Sequence, residues 1–271
     1  MKFLFCGDVF GQSGRKALKD FLPSLKQKLK TDFIIINGEN AAHGLGLTPK
    51  VYNELIRLEA DVIITMGNHT FDKMDVVKIW SENNVLVRPL NYPVDTVGKG
   101  YQVITVKNKR ICVVQLLGRS FMHSKLELSD PFQDIQKFIA EHKAEYDLLI
   151  VDFHAETTAE KVAMGYLLDG QATLVVGTHT HIPTNDAHIL ENGTAFITDV
   201  GMCGDYTSVL GMTRETAFSH FGFGERLRWE PATEKSTLCA VFVETDNKTN
   251  LAKKIRPIIL GDTLENTLKI C

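Results

Sequence analysis

The sequence predicts an α/β fold of two packed mixed β-sheets with helices outside, on three observations. Short apolar runs alternate with helically periodic segments through the first two thirds of the chain. Further β-like runs gather toward its C-terminal end. No Pro/Gly-rich linker, charge block or short repeat interrupts the 271 residues, so a single domain over 1–271 is expected.

Residues 2–6 (KFLFC) form a short apolar run. Leu18, Phe21, Leu22, Leu25 and Leu29 then recur at helical spacing across 14–30, with Ser13 as the expected N-cap. Phe33-Ile34-Ile35-Ile36 is continuous and apolar, as a strand covered on both faces should be. Thr48-Pro49 pairs a capping hydroxyl with proline at the first helical position and opens a helix to about Ala60. Residues 62–64 form the third strand, 73–82 a helix and 85–87 another strand. Strands at 101–106 and 110–117 flank a turn at 107–109, and a helix covers 131–143. A strand at 148–151, a helix at 158–168 and a strand at 173–176 come next. The β-like runs are 188–190, 194–198, 238–245 and 254–260, and 201–236 reads as the least regular stretch.

The bulk composition narrows the function classes. Hydrophobic residues at 44% and charged residues at 23% are ordinary for a globular chain. Thirty Lys plus Arg against 33 Asp plus Glu give a net charge of −3, which lends no support to a general nucleic-acid binder and leaves small nucleotides open as substrates; no duplex nucleic acid is expected as a partner. The five cysteines are scattered without a C-x-x-C pair, so reduced thiols in a cytoplasmic protein are expected. The apolar start before Asp8 is shorter than a signal h-region, and no run reaches the ~20 residues of a membrane span.

The chemistry lies at the ends of the strands. Gly7-Asp8 follows the first, Gly38-Glu39-Asn40 the second, Gly67-Asn68-His69 the third, His154 the strand at 148–151, and Gly177-Thr178-His179-Thr180-His181 the strand at 173–176. Ligands of open α/β sheets bind outside the carboxyl ends of strands, so Asp8, Glu39, Asn40, Asn68, His69, His154, His179 and His181 can meet in one cleft. Each glycine lets the backbone turn sharply there. Taken singly, each residue has an ordinary explanation as a turn, a helix cap or a surface histidine. Their joint occurrence at five strand ends has none. Imidazole with carboxylate suits Zn, Mn, Fe or Ni. His43, in the loop AAHGLGL, stays outside the set, as do His123, His142, His188 and His220; His142 reads as solvated.

These stretches resemble the calcineurin-like metallophosphoesterases, and more narrowly their YmdB-like branch: GDVFGQSGR (7–15), INGENAA (36–42), TMGNHTFD (65–72), VDFHAETTAEK (151–161), DGQATLVVGTHTHIPTND (169–186) and ITDVGM (197–202). Phe10 stands where the broader superfamily has the histidine of Asp-x-His, and the bridging acid is Glu39, followed by Asn40. The resemblance implies a four-layer αββα sandwich. It also implies two metal ions, iron or manganese with zinc as a further candidate. Asp8, Glu39, Asn40 and His181 would hold the first and Glu39, Asn68, His154 and His179 the second, with Glu39 bridging. His69 would stay off the metals as general acid or charge stabiliser; apart from the resemblance, the nearness of Asp72 in sequence suggests that it orients His69. The implied activity is phosphodiester hydrolysis of 2′,3′-cyclic nucleotides, with 3′,5′-cyclic AMP as a further candidate, through in-line attack by a hydroxide held between the ions. A phosphomonoesterase or nucleotidase on the same site, and a nucleotide sensor without turnover, stay open as alternatives. The implied partner is a small nucleotide or another phosphodiester, and sheet edges near the C-terminus offer a route to a homo-oligomer. The segment 203–207 (CGDYT) departs from the branch pattern, and His43 stands where a small residue is expected.

Overall fold

Alternate residues of the first strand enter different cores. Phe3 and Phe5 pack with Phe33 and Ile35, whereas Leu4 and Cys6 pack with Ile34 and Ile36. This period of two is the geometry of a strand covered on both sides.

The computed structural model describes residues 1–58, 61–81 and 85–268. In chain order its elements are β1 (Lys2–Cys6), β2 (Asp8–Val9), α1 (Gly11–Leu29), β3 (Phe33–Asn37), α2 (Pro49–Ile56), β4 (Val62–Thr65), α3 (Val76–Trp80) and β5 (Leu86–Val87). Then come β6 (Tyr101–Val106), β7 (Lys109–Leu117), α4 (Pro131–His142), β8 (Leu148–His154), α5 (Thr158–Leu167), β9 (Leu174–Thr178), β10 (His188–Ile189) and β11 (Ala195–Ile197). The last are β12 (Met202–Cys203), α6 (Arg214–His220), β13 (Thr237–Thr245) and β14 (Ala252–Gly261). The expected helix ends at Ala60 and Glu82, and Cys271, lie outside the described residues.

Two mixed sheets form, in the orders β14-β13-β1-β3-β4-β5 and β10-β11-β9-β8-β7-β6. Between them lies a core of Phe3, Phe5, Ile35 and Ile63 from the first sheet against Ile111, Val113, Ile150, Leu174 and Val176 from the second. Burying side chains of this size contributes roughly 1.5–3 kcal/mol each. α1, α2 and α3 cover the outer face of the first sheet, and α4 and α5 that of the second, which completes four layers.

The register levels the strand ends that carry the chemistry. β1, β3 and β4 run parallel, with Cys6 beside Ile36, Ile36 beside Ile64 and Asn37 beside Thr65. β8 and β9 run parallel, with Phe153 beside Gly177 and His154 beside Thr178. Beyond them β2 and β12 form a separate two-stranded pair, with Asp8 opposite Met202.

Several local expectations need correction. α1 starts at Gly11 after Phe10, and Ser13 does not cap it: the Ser13 hydroxyl donates to the carbonyls of Phe10 and Ala232. Thr48 does cap α2, accepting from the Val51 amide at 3.4 Å. The β6–β7 turn is tighter than expected, because Lys107 and Asn108 both take positive φ and β7 begins at Lys109. The stretch 201–236 holds β12 and α6, which its Gly- and Thr-rich composition did not announce. His142 is half-buried rather than solvated, stacked on Phe138 with centroids 4.7 Å apart. No helix of the described residues is long and apolar enough to cross a membrane.

Candidate metal centre

The strand ends bring the predicted residues together. Asp8 is on β2, and Glu39 and Asn40 follow β3. Asn68 and His69 follow β4, His154 ends β8, and His179 and His181 follow β9. Asp8, Glu39, Asn40, His154 and His181 are buried, while Asn68, His69 and His179 are half-buried.

Two groups of donor atoms each lie within 4.8 Å of one another: Glu39, His154 and His179 form one, and Asp8, Glu39 and His181 the other. Glu39 belongs to both. Around His154 Nε2 stand Glu39 Oε1 at 3.0 Å, Asn68 Oδ1 at 3.1 Å and His179 Nδ1 at 3.1 Å. One ring nitrogen can satisfy one such partner by a hydrogen bond. The crowding suits a cation instead, since ligands about 2.0–2.2 Å from a metal stand near 3 Å apart. Two buried acceptors, Asp8 Oδ1 and Asn40 Oδ1, have no hydrogen-bond partner among the described residues. The Asn40 amide nitrogen donates to the Gly44 carbonyl at 2.9 Å, which fixes which end of that side chain stays free. The donor set therefore fits a pair of cations, and no separate explanation of the two orphan oxygens is needed.

Each histidine has its other ring nitrogen engaged. His154 Nδ1 donates to Thr178 Oγ1 at 2.8 Å, and that hydroxyl donates to Asp152 Oδ1 at 2.7 Å. His179 Nε2 lies 3.1 Å from Glu156 Oε2, and His181 Nδ1 donates to the Leu210 carbonyl at 2.9 Å. Such partners fix the tautomer and leave the opposite nitrogen free to ligate. Asp152 also accepts from Thr65 Oγ1 at 2.5 Å and Asn37 Nδ2 at 3.1 Å, joining the two sheets beneath the site.

Charge is concentrated here. Burial raises the Asp8 pKa well above the usual carboxylate range, with Glu39 and Asp199 adding to the rise. Burial also opposes charge on His154, but Glu39 and Asp8 outweigh it and hold that imidazole up to about 9. Burial and the neighbouring His154 push His179 down to about 3. A carboxylate cluster of this kind is relieved by bound cations.

Glycine serves the site by close approach, not by the sharp turn expected of it. Neither Gly67 nor Gly177 has positive φ. A Cβ on Gly67 would sit 2.0 Å from Glu39 Oε2, and one on Gly177 would sit 1.7 Å from the Thr198 carbonyl oxygen. The unusual backbone belongs to His179 (φ 96°) and His181 (φ 66°). Non-glycine residues held there typically cost on the order of 1–3 kcal/mol each and mark functional sites.

The residues that hold this loop are absent from the set the sequence singles out. Asp199 Oδ2 accepts from the Thr180 amide at 3.1 Å, the Thr180 hydroxyl at 2.6 Å and Lys161 Nζ at 2.7 Å. The Tyr206 hydroxyl donates to the His181 carbonyl at 3.0 Å, so the segment 203–207, which departs from the branch pattern, braces His181. Asp152 lies two residues before His154, on the same face of β8. His69 lies at the edge of the site: its amide donates to Glu39 Oε2 at 3.2 Å, and its Nδ1 pairs with Asp72 Oδ2 at 2.7 Å. Lys125 Nζ lies 2.7 Å from the other Asp72 oxygen. Glu39, Asn40, His69, His179 and His181 open into a cleft of about 480 Å³ whose lining also includes Leu210, Phe221 and Trp229.

Known proteins share this arrangement of chain. A family model described as YmdB-like protein matches residues 4–258. The chain is 47% identical over 262 residues to the 2′,3′-cyclic-nucleotide 2′-phosphodiesterase of Bacillus subtilis (strain 168), covering 97% of this chain and 98% of that one. A crystal structure of a hypothetical protein from Thermus thermophilus superposes with a TM-score of 0.89 at 37% identity, covering 97% of this chain and 100% of that one. A novel phosphatase from Mycoplasma pneumoniae gives a TM-score of 0.89 at 40% identity, over 96% of this chain and 93% of that one. The chain belongs to the YmdB-like family of metallophosphoesterases.

Proposed function

We propose that the chain is a dinuclear-metal phosphodiesterase that hydrolyses 2′,3′-cyclic nucleotides. The observation that carries this reading is the shared carboxylate: Glu39 belongs to both donor groups, as a residue bridging two ions must. The activity named for the Bacillus subtilis relative supports the substrate class. In this reading Asp8, Glu39, Asn40 and His181 would hold one ion, and Glu39, Asn68, His154 and His179 would hold the other. Iron and manganese suit the mixed nitrogen and oxygen donors, with zinc as a further candidate.

Two such ions supply Lewis-acid neutralisation of phosphoryl charge and an acidified water. The remaining work belongs to side chains. Asp72 engages His69 Nδ1, so Nε2 is the nitrogen left for substrate. From there His69 donates a proton to the departing ester oxygen, and Asp72, itself held by Lys125, stabilises the ring while it is charged. Leu210, Phe221 and Trp229 give the cleft an apolar part of its lining, against which a nucleoside can rest.

The test combines elemental analysis of protein purified without chelator with assays on 2′,3′-cyclic AMP, 3′,5′-cyclic AMP, bis-p-nitrophenyl phosphate and p-nitrophenyl phosphate. The expected result is two metal ions per chain and turnover of the diesters above the monoester. Preferred hydrolysis of the monoester would point to a nucleotidase on the same site. Binding of 2′,3′-cyclic AMP without turnover at any metal would point to a sensor.

A further inference from the structure

The metal cleft adjoins a second one. Leu45, Met212 and Trp229 line both, and the second cleft, of about 720 Å³, carries Lys73, Arg228 and His43 together with the acidic Glu230. Trp229 thus forms part of the ridge between a metal site and a basic groove. Its indole lies flat on the ring of His220, with centroids 4.0 Å apart and planes 14° apart. His220 is itself held: Nε2 donates to the Leu227 carbonyl at 2.9 Å, and Nδ1 accepts from Arg226 Nε at 3.1 Å. The indole is therefore supported on one face, yet 43% of the residue remains exposed. Phe221, in the wall of the metal cleft, is 70% exposed.

Lys73 is tied to the catalytic side. It follows Asp72, the partner of His69, and the Asp72 amide donates to the His69 carbonyl at 3.1 Å. Its stem passes close over Gly46, where a Cβ would meet Lys73 Cγ at 2.8 Å. One turn of chain thus presents His69 to the metal cleft and Lys73 to the basic one. A 2′,3′-cyclic mononucleotide has one phosphate and nothing to place beside Lys73 and Arg228. Backbone cations alternating with exposed aromatic faces are how proteins hold single-stranded nucleic acid.

The geometry points to a longer substrate: a single-stranded oligonucleotide whose 3′ end carries a 2′,3′-cyclic phosphate. This rests on the phosphodiesterase reading. The terminal cyclic phosphate enters the metal cleft, a base stacks on Trp229, and the phosphate on the 5′ side of the terminal nucleoside lies between Lys73 and Arg228. The chemistry balances as simple hydrolysis. Water oxygen joins phosphorus, the P–O2′ bond breaks, O2′ leaves with a proton, and a 3′-phosphomonoester remains on the oligonucleotide.

The experiment compares kcat/KM for 2′,3′-cyclic AMP and for the dinucleotide ApA ending in a 2′,3′-cyclic phosphate, using metal-loaded enzyme. The base on Trp229 is that of the terminal nucleoside and is common to both substrates, so the 5′-side phosphate beside two cations should favour the dinucleotide by about tenfold or more. In Lys73→Gln/Arg228→Gln that preference should collapse to about threefold or less, since the 5′-side phosphate loses both cations. Equal kcat/KM values in the wild type, or a preference that survives in the double variant, would overturn the proposal. Binding is measured separately, by anisotropy of fluorescein-labelled tetraadenylate with a 3′-phosphate. Saturable binding that weakens with salt and in the double variant supports the basic groove even if neither cyclic substrate is hydrolysed, a result that would sink the phosphodiesterase reading alone. Binding unaffected by the double variant, or none, counts against the groove.

Discussion

Lys161 Nζ and Asp199 Oδ2 lie 2.7 Å apart with both side chains almost wholly buried, and the same Asp199 oxygen holds Thr180 between His179 and His181. Lys161 comes from α5 and Asp199 follows β11, so the ion pair ties a helix to the loop that presents two histidines. Removing one partner of a buried pair leaves the other charge uncompensated, typically at about 3–5 kcal/mol. Lys161→Met should therefore lower the urea midpoint markedly and reduce bound metal per chain. Lys161→Met/Asp199→Asn should regain part of the stability, because no lone charge remains. A single variant as stable as wild type would contradict the bracing role.

Gly67→Ala tests how tightly the candidate ligands are packed. The added methyl would lie 2.0 Å from Glu39 Oε2 and 2.6 Å from His154 Nε2, so one of them must move. Because Glu39 belongs to both donor groups, metal content should fall at both positions. The readouts are metal stoichiometry by elemental analysis and circular dichroism to show that the fold is kept. Full metal occupancy in the variant would mean that the neighbouring chain yields easily.

Glu156→Gln isolates one orienting contact. Glu156 is half exposed and lies 3.1 Å from His179 Nε2, leaving Nδ1 toward His154 and Glu39. Changing such an orienting partner typically costs about 10–100-fold in metal affinity or activity. The expected signature is weakened metal binding that excess metal rescues, with little change in thermal stability. A rate loss that excess metal leaves untouched would place Glu156 on the substrate instead.

The strand ends were legible because apolar runs stop abruptly at ligand-type residues, a contrast visible without any structure. Glu39-Asn40 and Gly67-Asn68-His69 are of this kind. The supporting residues were not, since their partners are distant in sequence. Lys161 reads as the solvated face of a helix until Asp199, 38 positions on, is brought beside it. Asp152 reads as a break in an apolar strand until Thr65 and Asn37 of the other sheet reach it. In 201–236 the short helix α6 has only seven residues, too few for a helical period to stand out.

His69 and Asp72 should separate chemistry from metal binding. In His69→Ala the two donor groups stay intact, so metal content should hold while kcat falls by about 10²–10⁴-fold. Asp72→Asn should give a smaller loss and a shifted pH–rate profile, because Asp72 acts through the His69 ring at 2.7 Å. Identical profiles in wild type and Asp72→Asn would remove Asp72 from the mechanism.

Asp205 gives a pH test away from the candidate metal centre. Its carboxylate accepts from the Thr207 amide at 2.8 Å, the Thr207 hydroxyl at 2.6 Å, and the Glu234 and Lys235 amides at 2.9 Å each. Burial pushes its pKa up, but these hydrogen bonds outweigh it and hold the group below the usual value. A depressed carboxylate pKa contributes stability that is present above the unfolded value of about 3.9 and is lost as pH falls through the folded one. The stability gap between wild type and Asp205→Asn should therefore be widest near neutral pH and close in acid. Urea midpoints measured across that range check the sign, and a gap that widens toward acid would show that the carboxylate is not what holds the segment 203–207.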